Sequence, residues 1–218
     1  MRATCYNQLP SHRFNYLTGF VLVGGGSRRM GQPKESLLLE GKNMLQRQIS
    51  LLRTVARRVF VIGAPLAYLD NFDVPVIPDE IPGRGPLGGI YTSLLKSRTK
   101  LNLVLGCDLP FVSPGLLSYL SVRAISFGSD VTVPCSRDGR YQPLCAVYHR
   151  RALYAVRTRL SLGENKISGF FRMVRRDAVP WQKLANAGFR PSVFDNINSP
   201  EDYEYARRRV ESIKAMRA

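Results

Sequence analysis

The sequence predicts an α/β fold whose mostly parallel central sheet is covered by helices on both faces. Three observations carry this. Short apolar runs rich in β-branched residues alternate with helical patterns, the helical patterns gather their apolar residues on one face, and the first strand-like run breaks into three consecutive glycines. Strand-like runs fall at residues 21–23, 59–62, 74–77, 101–105 and 131–133, short and nearly all apolar, as strands buried on both faces read. Helical patterns occupy 43–55, where Met44, Leu45, Ile49, Leu52 and Val55 share a face, then 87–95 and 114–126. Right-handed crossovers would join such strands. The second half is less regular, with a strand expected at 144–148, a helix at 151–160 and a terminal helix at 201–216. No internal repeat or linker divides the chain, so residues 19–218 are expected to form one domain behind an N-terminal extension over residues 1–18.

Composition narrows the class. A chain of 218 residues with 44% hydrophobic content can bury a sizeable core. No apolar stretch approaches the roughly 20 residues that span a bilayer, and the N-terminus has no signal-peptide core, so a cytoplasmic protein without a membrane partner is expected. Four cysteines, at 5, 107, 135 and 145, form no CxxC pair, and only His12 and His149 could join them, which argues against zinc. The formal charge of +16 asks for an anionic partner. Its arginines are scattered, as at Arg57-Arg58, Arg150-Arg151 and Arg207-Arg208-Arg209, and no nucleic-acid motif accompanies them. Nucleic acid is therefore disfavoured, and the charge reads as a solvated face plus a field that steers polyphosphates.

Residues 20–34 look built to hold such an anion. After the apolar run, Gly24, Gly25 and Gly26 let the backbone turn tightly and expose N–H groups, while Arg28, Arg29 and Lys34 add side-chain donors. The spelling is not a Walker A loop, because Gln32 and Pro33 separate Gly31 from Lys34 and Glu35 stands where the hydroxyl is required. Nor is it a dinucleotide fingerprint, since Arg29 replaces the third glycine.

Two aspartates follow strand-like runs. Asp108, just beyond 101–105, would lie on the same sheet edge as the glycine loop, fixed yet reachable, and one such carboxylate suffices for magnesium when phosphates and water complete its shell. A turn cap before Pro110 is the competing use. Asp79, after 74–77 and shortly before the Gly85-Pro86-Leu87 segment, could meet a ligand at that edge or could be a plain turn residue.

Four segments then match one pattern in order along nearly the whole chain: Leu22-Val23-Gly24-Gly25 with Arg29-Met30-Gly31, Lys34 and Leu37-Leu38-Leu39; Gly85-Pro86-Leu87-Gly88-Gly89-Ile90; Cys107-Asp108-Leu109-Pro110-Phe111; and Asn196-Ile197-Asn198-Ser199-Pro200-Glu201. The chain resembles the molybdenum cofactor guanylyltransferases. The resemblance implies a three-layer Rossmann-like nucleotidyltransferase fold. It also implies Mg2+-dependent transfer of GMP from GTP to the terminal phosphate of molybdenum-molybdopterin, with pyrophosphate released, in molybdopterin guanine dinucleotide biosynthesis. Arg29, Lys34 and Asp108 would be catalytic, with Asp108 holding Mg2+. Leu22, Val23, Gly24, Gly25, Lys34, Asp79, Asp108, Asn196 and Asn198 would contact the nucleotide. Arg140, Gln142, His149, Glu164-Asn165-Lys166 and Arg172 would face the pterin substrate, and proteins that deliver or accept the cofactor would be further partners. The chain departs from the pattern at Ile62-Gly63, where several members carry an asparagine. A CTP-dependent molybdopterin cytidylyltransferase or a sugar-phosphate nucleotidyltransferase would use much of the same loop, and a nonenzymatic polyphosphate or nucleic-acid binder would use only the charge.

Overall fold

The computed structural model describes residues 14–24, 33–63 and 73–215. Among them, seven strands make one sheet, β1 (Phe14–Leu22), β4 (Ala56–Ile62), β5 (Val76–Ile77), β6 (Leu101–Gly106), β7 (Val131–Pro134), β8 (Cys145–His149) and β9 (Arg176–Val179), in the order β5-β4-β1-β6-β8-β7-β9. Only β8 runs against its neighbours. The expected mostly parallel sheet is what the chain builds. A two-strand hairpin, β2 (Leu38–Leu39) with β3 (Lys42–Asn43), stands beside it. Its two turn residues, Glu40 and Gly41, both have positive φ, the conformation that matches the twist of paired strands.

Successive residues of the central strands feed two different cores, because side chains alternate across a sheet. In β6, Leu101, Leu103 and Leu105 enter one core and Val104 the other; in β1, Leu17 and Val21 oppose Phe20. The first core is closed by α1 (Met44–Arg53) and α3 (Pro114–Phe127), the second by α2 (Gly85–Lys96) and α4 (Leu153–Ser161). Burial on both faces is why these strands are mostly apolar. Local signals set the helix starts. Asn43 and Gln46 exchange side-chain and backbone bonds as a capping box for α1, and Ser113 accepts from Leu116 N–H ahead of α3.

The structure alters three expectations. First, β1 starts at Phe14, so residues 14–18, assigned above to an N-terminal extension, belong to the sheet: Leu17 pairs with Leu101 and Thr18 with Arg58. Tyr16 is exposed, which breaks the apolar run that marks the rest of the strand. Second, β9, α5 (Ile167–Phe170) and α6 (Trp181–Asn186) carry no clear sequence signal. β9 hides behind Arg176 and Asp177, and the latter is neutralised by Arg123 across a mostly buried 2.7 Å ion pair. Third, β5 is confined to Val76–Ile77. The terminal helix, α7 (Pro200–Ala215), stands as expected, its last predicted residue, Met216, lying outside the described residues.

Candidate active site

From β1 the chain moves outward to β4 and β5, then returns to lay β6 on the opposite side of β1. That reversal opens a crevice at the carboxyl ends of β1 and β6, the place where open α/β sheets bind ligands. A cleft of about 770 Å3 occupies it. Leu22, Val23 and Gly24 form its floor on the β1 side, and Gly106, Cys107 and Asp108 on the β6 side. The two ends are stitched together: Cys107 N–H donates to the Leu22 carbonyl at 3.3 Å, and Val23 N–H to that of Ile62 at 2.9 Å. Ile62 itself lines the cleft, giving an apolar wall.

Asp108 is held by its neighbours on both sides. Gly106 is required there, because a Cβ at that position would come within 2.8 Å of Asp108 Oδ1. Ile197 N–H donates to the Asp108 carbonyl at 2.9 Å, which ties the segment before α7 to the end of β6. Burial pushes the Asp108 carboxyl above its ordinary value, and the nearby Lys34 ammonium opposes that shift only in part. The adjacent Cys107 thiol is driven well up, by burial first and then by the negative charges of Glu35 and Asp108. A thiol held protonated offers no soft ligand. The donors in the cleft are carboxylate oxygens, a set that suits magnesium. Among the described residues no group of three or more His, Cys, Asp or Glu side chains could hold a metal by itself.

Lys34 sits in a one-turn 3-10 helix, Lys34–Ser36, with its Nζ donating to Asn198 Oδ1 at 2.6 Å. Asn198 is itself set by the start of α7. The Asp202 carboxylate accepts from both Asn198 and Ser199 N–H at 2.9 Å, and the Ser199 hydroxyl accepts from Asp202 N–H at 3.2 Å. With Pro200 at the first helical position, this is a capping box.

Asp79 reaches the cleft from beyond β5, and its Oδ1 is buried without a hydrogen-bond partner, with burial raising its carboxyl above the ordinary value. Glu80 anchors this turn to α2: its N–H donates to Thr92 Oγ1 at 3.0 Å, and its carboxylate pairs with Lys96 at 2.8 Å. Pro82, Gly83, Gly85 and Pro86 complete the rim.

The structure thus gathers Leu22, Val23, Gly24, Lys34, Asp79 and Asp108 around one cleft, with Asn198 attached through Lys34. It separates Asn196, which is exposed and lines a second cavity of about 320 Å3 beside Phe111 and Tyr205. Gly25 and Arg29 lie outside the described residues. His149 is at the wrong end of the sheet for the pterin role. Because β8 runs antiparallel, its start meets the cleft, where Leu144 lines the wall, while His149 pairs with Leu101 at the far edge. There its Nδ1 accepts from Arg151 N–H at 3.1 Å. Sequence reasoning overlooked Glu35, which is buried and faces the cleft. Its only signal was a carboxylate directly after the loop lysine.

Comparison with known proteins agrees with this geometry. The family model for a MobA-like NTP transferase domain matches residues 19–179. A probable molybdenum cofactor guanylyltransferase of Pelotomaculum thermopropionicum is 35% identical over 201 residues, covering 92% of this chain and 96% of that protein. One from Geobacillus sp. is 31% identical over 196 residues, covering 87% and 97%. Among solved structures, the molybdopterin-guanine dinucleotide biosynthesis protein A of Archaeoglobus fulgidus superposes with a TM-score of 0.78 over 89% of this chain and 99% of that one, at 24% identity. At that identity the superposition speaks for the fold. No helix among the described residues is long and apolar enough to cross a membrane.

Proposed function

We propose that this chain, which belongs to the MobA-like NTP transferase family and is therefore a nucleotidyltransferase, transfers GMP from GTP to the terminal phosphate of molybdenum-molybdopterin. The observation that carries the reading is the convergence of Lys34, Asp79 and Asp108 on one cleft at the sheet's reversal point. The names of these relatives point to the guanylyl donor and the molybdenum cofactor as acceptor. Residues 19–218, with the first residues of β1 from Phe14, act as one domain in this scheme.

An oxygen of the acceptor phosphate attacks the α-phosphorus of GTP in line; the new P–O bond forms as the bond to the β-phosphate oxygen breaks, and pyrophosphate leaves with that electron pair. No protein nucleophile is needed, and the protein acts by alignment and charge stabilisation. Lys34, fixed by Asn198, neutralises phosphate oxygens from one side of the cleft. Arg29 would do so from the glycine loop. Asp79 offers its unpartnered buried Oδ1 to the N1–H or amino donors of guanine, a contact that removes an otherwise costly orphan acceptor. Asp108 would hold Mg2+, which supplies charge neutralisation on the α-phosphoryl and pyrophosphate oxygens when bound.

The test is pyrophosphate release by the purified protein with molybdenum-molybdopterin and Mg2+, comparing GTP, CTP, ATP and UTP. GTP-selective turnover that a chelator abolishes is the expected result. Preference for CTP would keep the phosphoryl chemistry and overturn the base assignment.

A further inference from the structure

The described lining of the cleft carries three carboxylates, Glu35, Asp79 and Asp108, against one ammonium, Lys34. This is the reverse of the chain as a whole, whose formal charge is +16. A pocket for a polyanion that is itself lined by carboxylates is unfavourable unless cations enter with the ligand. Asp79 faces the cleft from beyond β5 and has a use in base recognition. Asp108 has a use in metal binding. Glu35 has none in the reading above.

Its surroundings make that omission costly. Glu35 is only 7% exposed, lies in the 3-10 turn beside Lys34, and lines the cleft. It makes no hydrogen bond and no ion pair with any described residue, whereas the neighbouring Lys34 ammonium is directed to Asn198. A carboxylate that lines the cleft and meets no donor among the described residues is placed to meet a ligand that enters there, whereas a purely structural role would be served by an apolar or amide side chain of the same size. A hard cation suits such a group, and magnesium sites use one or two carboxylates together with substrate phosphates.

We propose that Glu35 is the second acidic residue of the divalent-cation site, sharing with Asp108 the charge of the cation that accompanies the nucleotide. The inference rests on reading the cleft as a nucleoside-triphosphate site. Glu35, from the 3-10 turn after the glycine loop, and Asp108, from the end of β6, would then hold the cation together, and its charge would offset theirs as the phosphates enter. Removing the Glu35 charge also removes a repulsion on the phosphates when no metal is bound.

Mn2+ binding to the full-length protein, followed by the electron paramagnetic resonance signal of free Mn2+, tests this with and without a non-hydrolysable α,β-methylene analogue of GTP. Glu35→Gln should weaken Mn2+ binding about tenfold or more, while its metal-free affinity for the analogue is unchanged or tighter. Glu35→Asp, which keeps the charge, should lose less than Glu35→Gln. Unchanged Mn2+ affinity in Glu35→Gln, or equal losses in the two variants, overturns the role of Glu35 while leaving the nucleotide site standing. A wild-type protein that binds neither Mn2+ nor the analogue overturns the nucleotide reading and this inference with it.

Discussion

Lys34 Nζ donates to Asn198 Oδ1 at 2.6 Å across 164 positions of sequence, joining the end of the glycine loop to the cap of the terminal helix. The bond explains how a long, flexible side chain is kept aimed at one cleft. It predicts that Lys34→Ala lowers kcat/KM about a hundredfold or more, the scale for losing one donor to developing phosphate charge. Asn198→Ala should cost less, and the double variant should resemble Lys34→Ala alone, because Asn198 acts through Lys34. Steady-state kinetics on the three variants checks this; additive losses would contradict it.

Asp79 Oδ1 is buried without a partner, so its value should appear only when a donor arrives. Asp79→Asn is expected to weaken GTP use by about ten- to hundredfold, the cost of about 1.5–3 kcal/mol for a hydrogen bond to a charged group. ATP, whose ring nitrogen carries no N1–H, should be little affected. Comparing kcat/KM for the two nucleotides checks this, and parallel losses would place Asp79 outside base recognition.

Gly106 leaves room for the Asp108 carboxylate, since an added Cβ would stand 2.8 Å from Oδ1 and 3.2 Å from Leu144 Cβ. Gly106→Ala should lower stability by about 1–3 kcal/mol, the usual range for overpacking. Its turnover should fall about tenfold or more through misplacement of Asp108. Activity measured well below the melting temperature, over a Mg2+ titration, separates the two effects.

Burial holds the Asp79 and Asp108 carboxyls above the ordinary 3.8 in the folded protein. As pH rises through the window above 3.8, the unfolded chain loses these protons first, so the folded state loses stability until its own carboxyls ionise. Below the ordinary value both states are protonated and that penalty is absent. Asp108→Asn and Asp79→Asn, without ligand, should therefore melt above the wild type at pH 8, and the advantage should vanish near pH 3. Mg2+ with GTP should favour the wild type over Asp108→Asn. Thermal melts across pH check the sign.

The strands buried on both faces were legible because a run as short and apolar as Leu101–Gly106, polar only at Asn102, marks a strand covered by helices on both sides. The edge strand at Arg176–Val179 was not, because its Asp177 is made tolerable by Arg123, a partner distant in sequence. Asp108 was legible from its place after a strand. The placements of Asn196 and Glu35 were not, since Asn196 lines a separate cavity and the 3-10 turn is what brings Glu35, buried, to the cleft. His149 misled for a topological reason: an antiparallel strand carries its last residue away from the edge that its first residue shares with the site.

The central claim is that a guanylyl group moves to a phosphate acceptor, and isotope transfer tests it most directly. GTP labelled at the α-phosphorus, incubated with the protein, molybdenum-molybdopterin and Mg2+, should place its label in the pterin product, while label at the γ-position appears only in pyrophosphate. Label that stays in GTP or GDP, with inorganic phosphate released instead, would contradict guanylyl transfer.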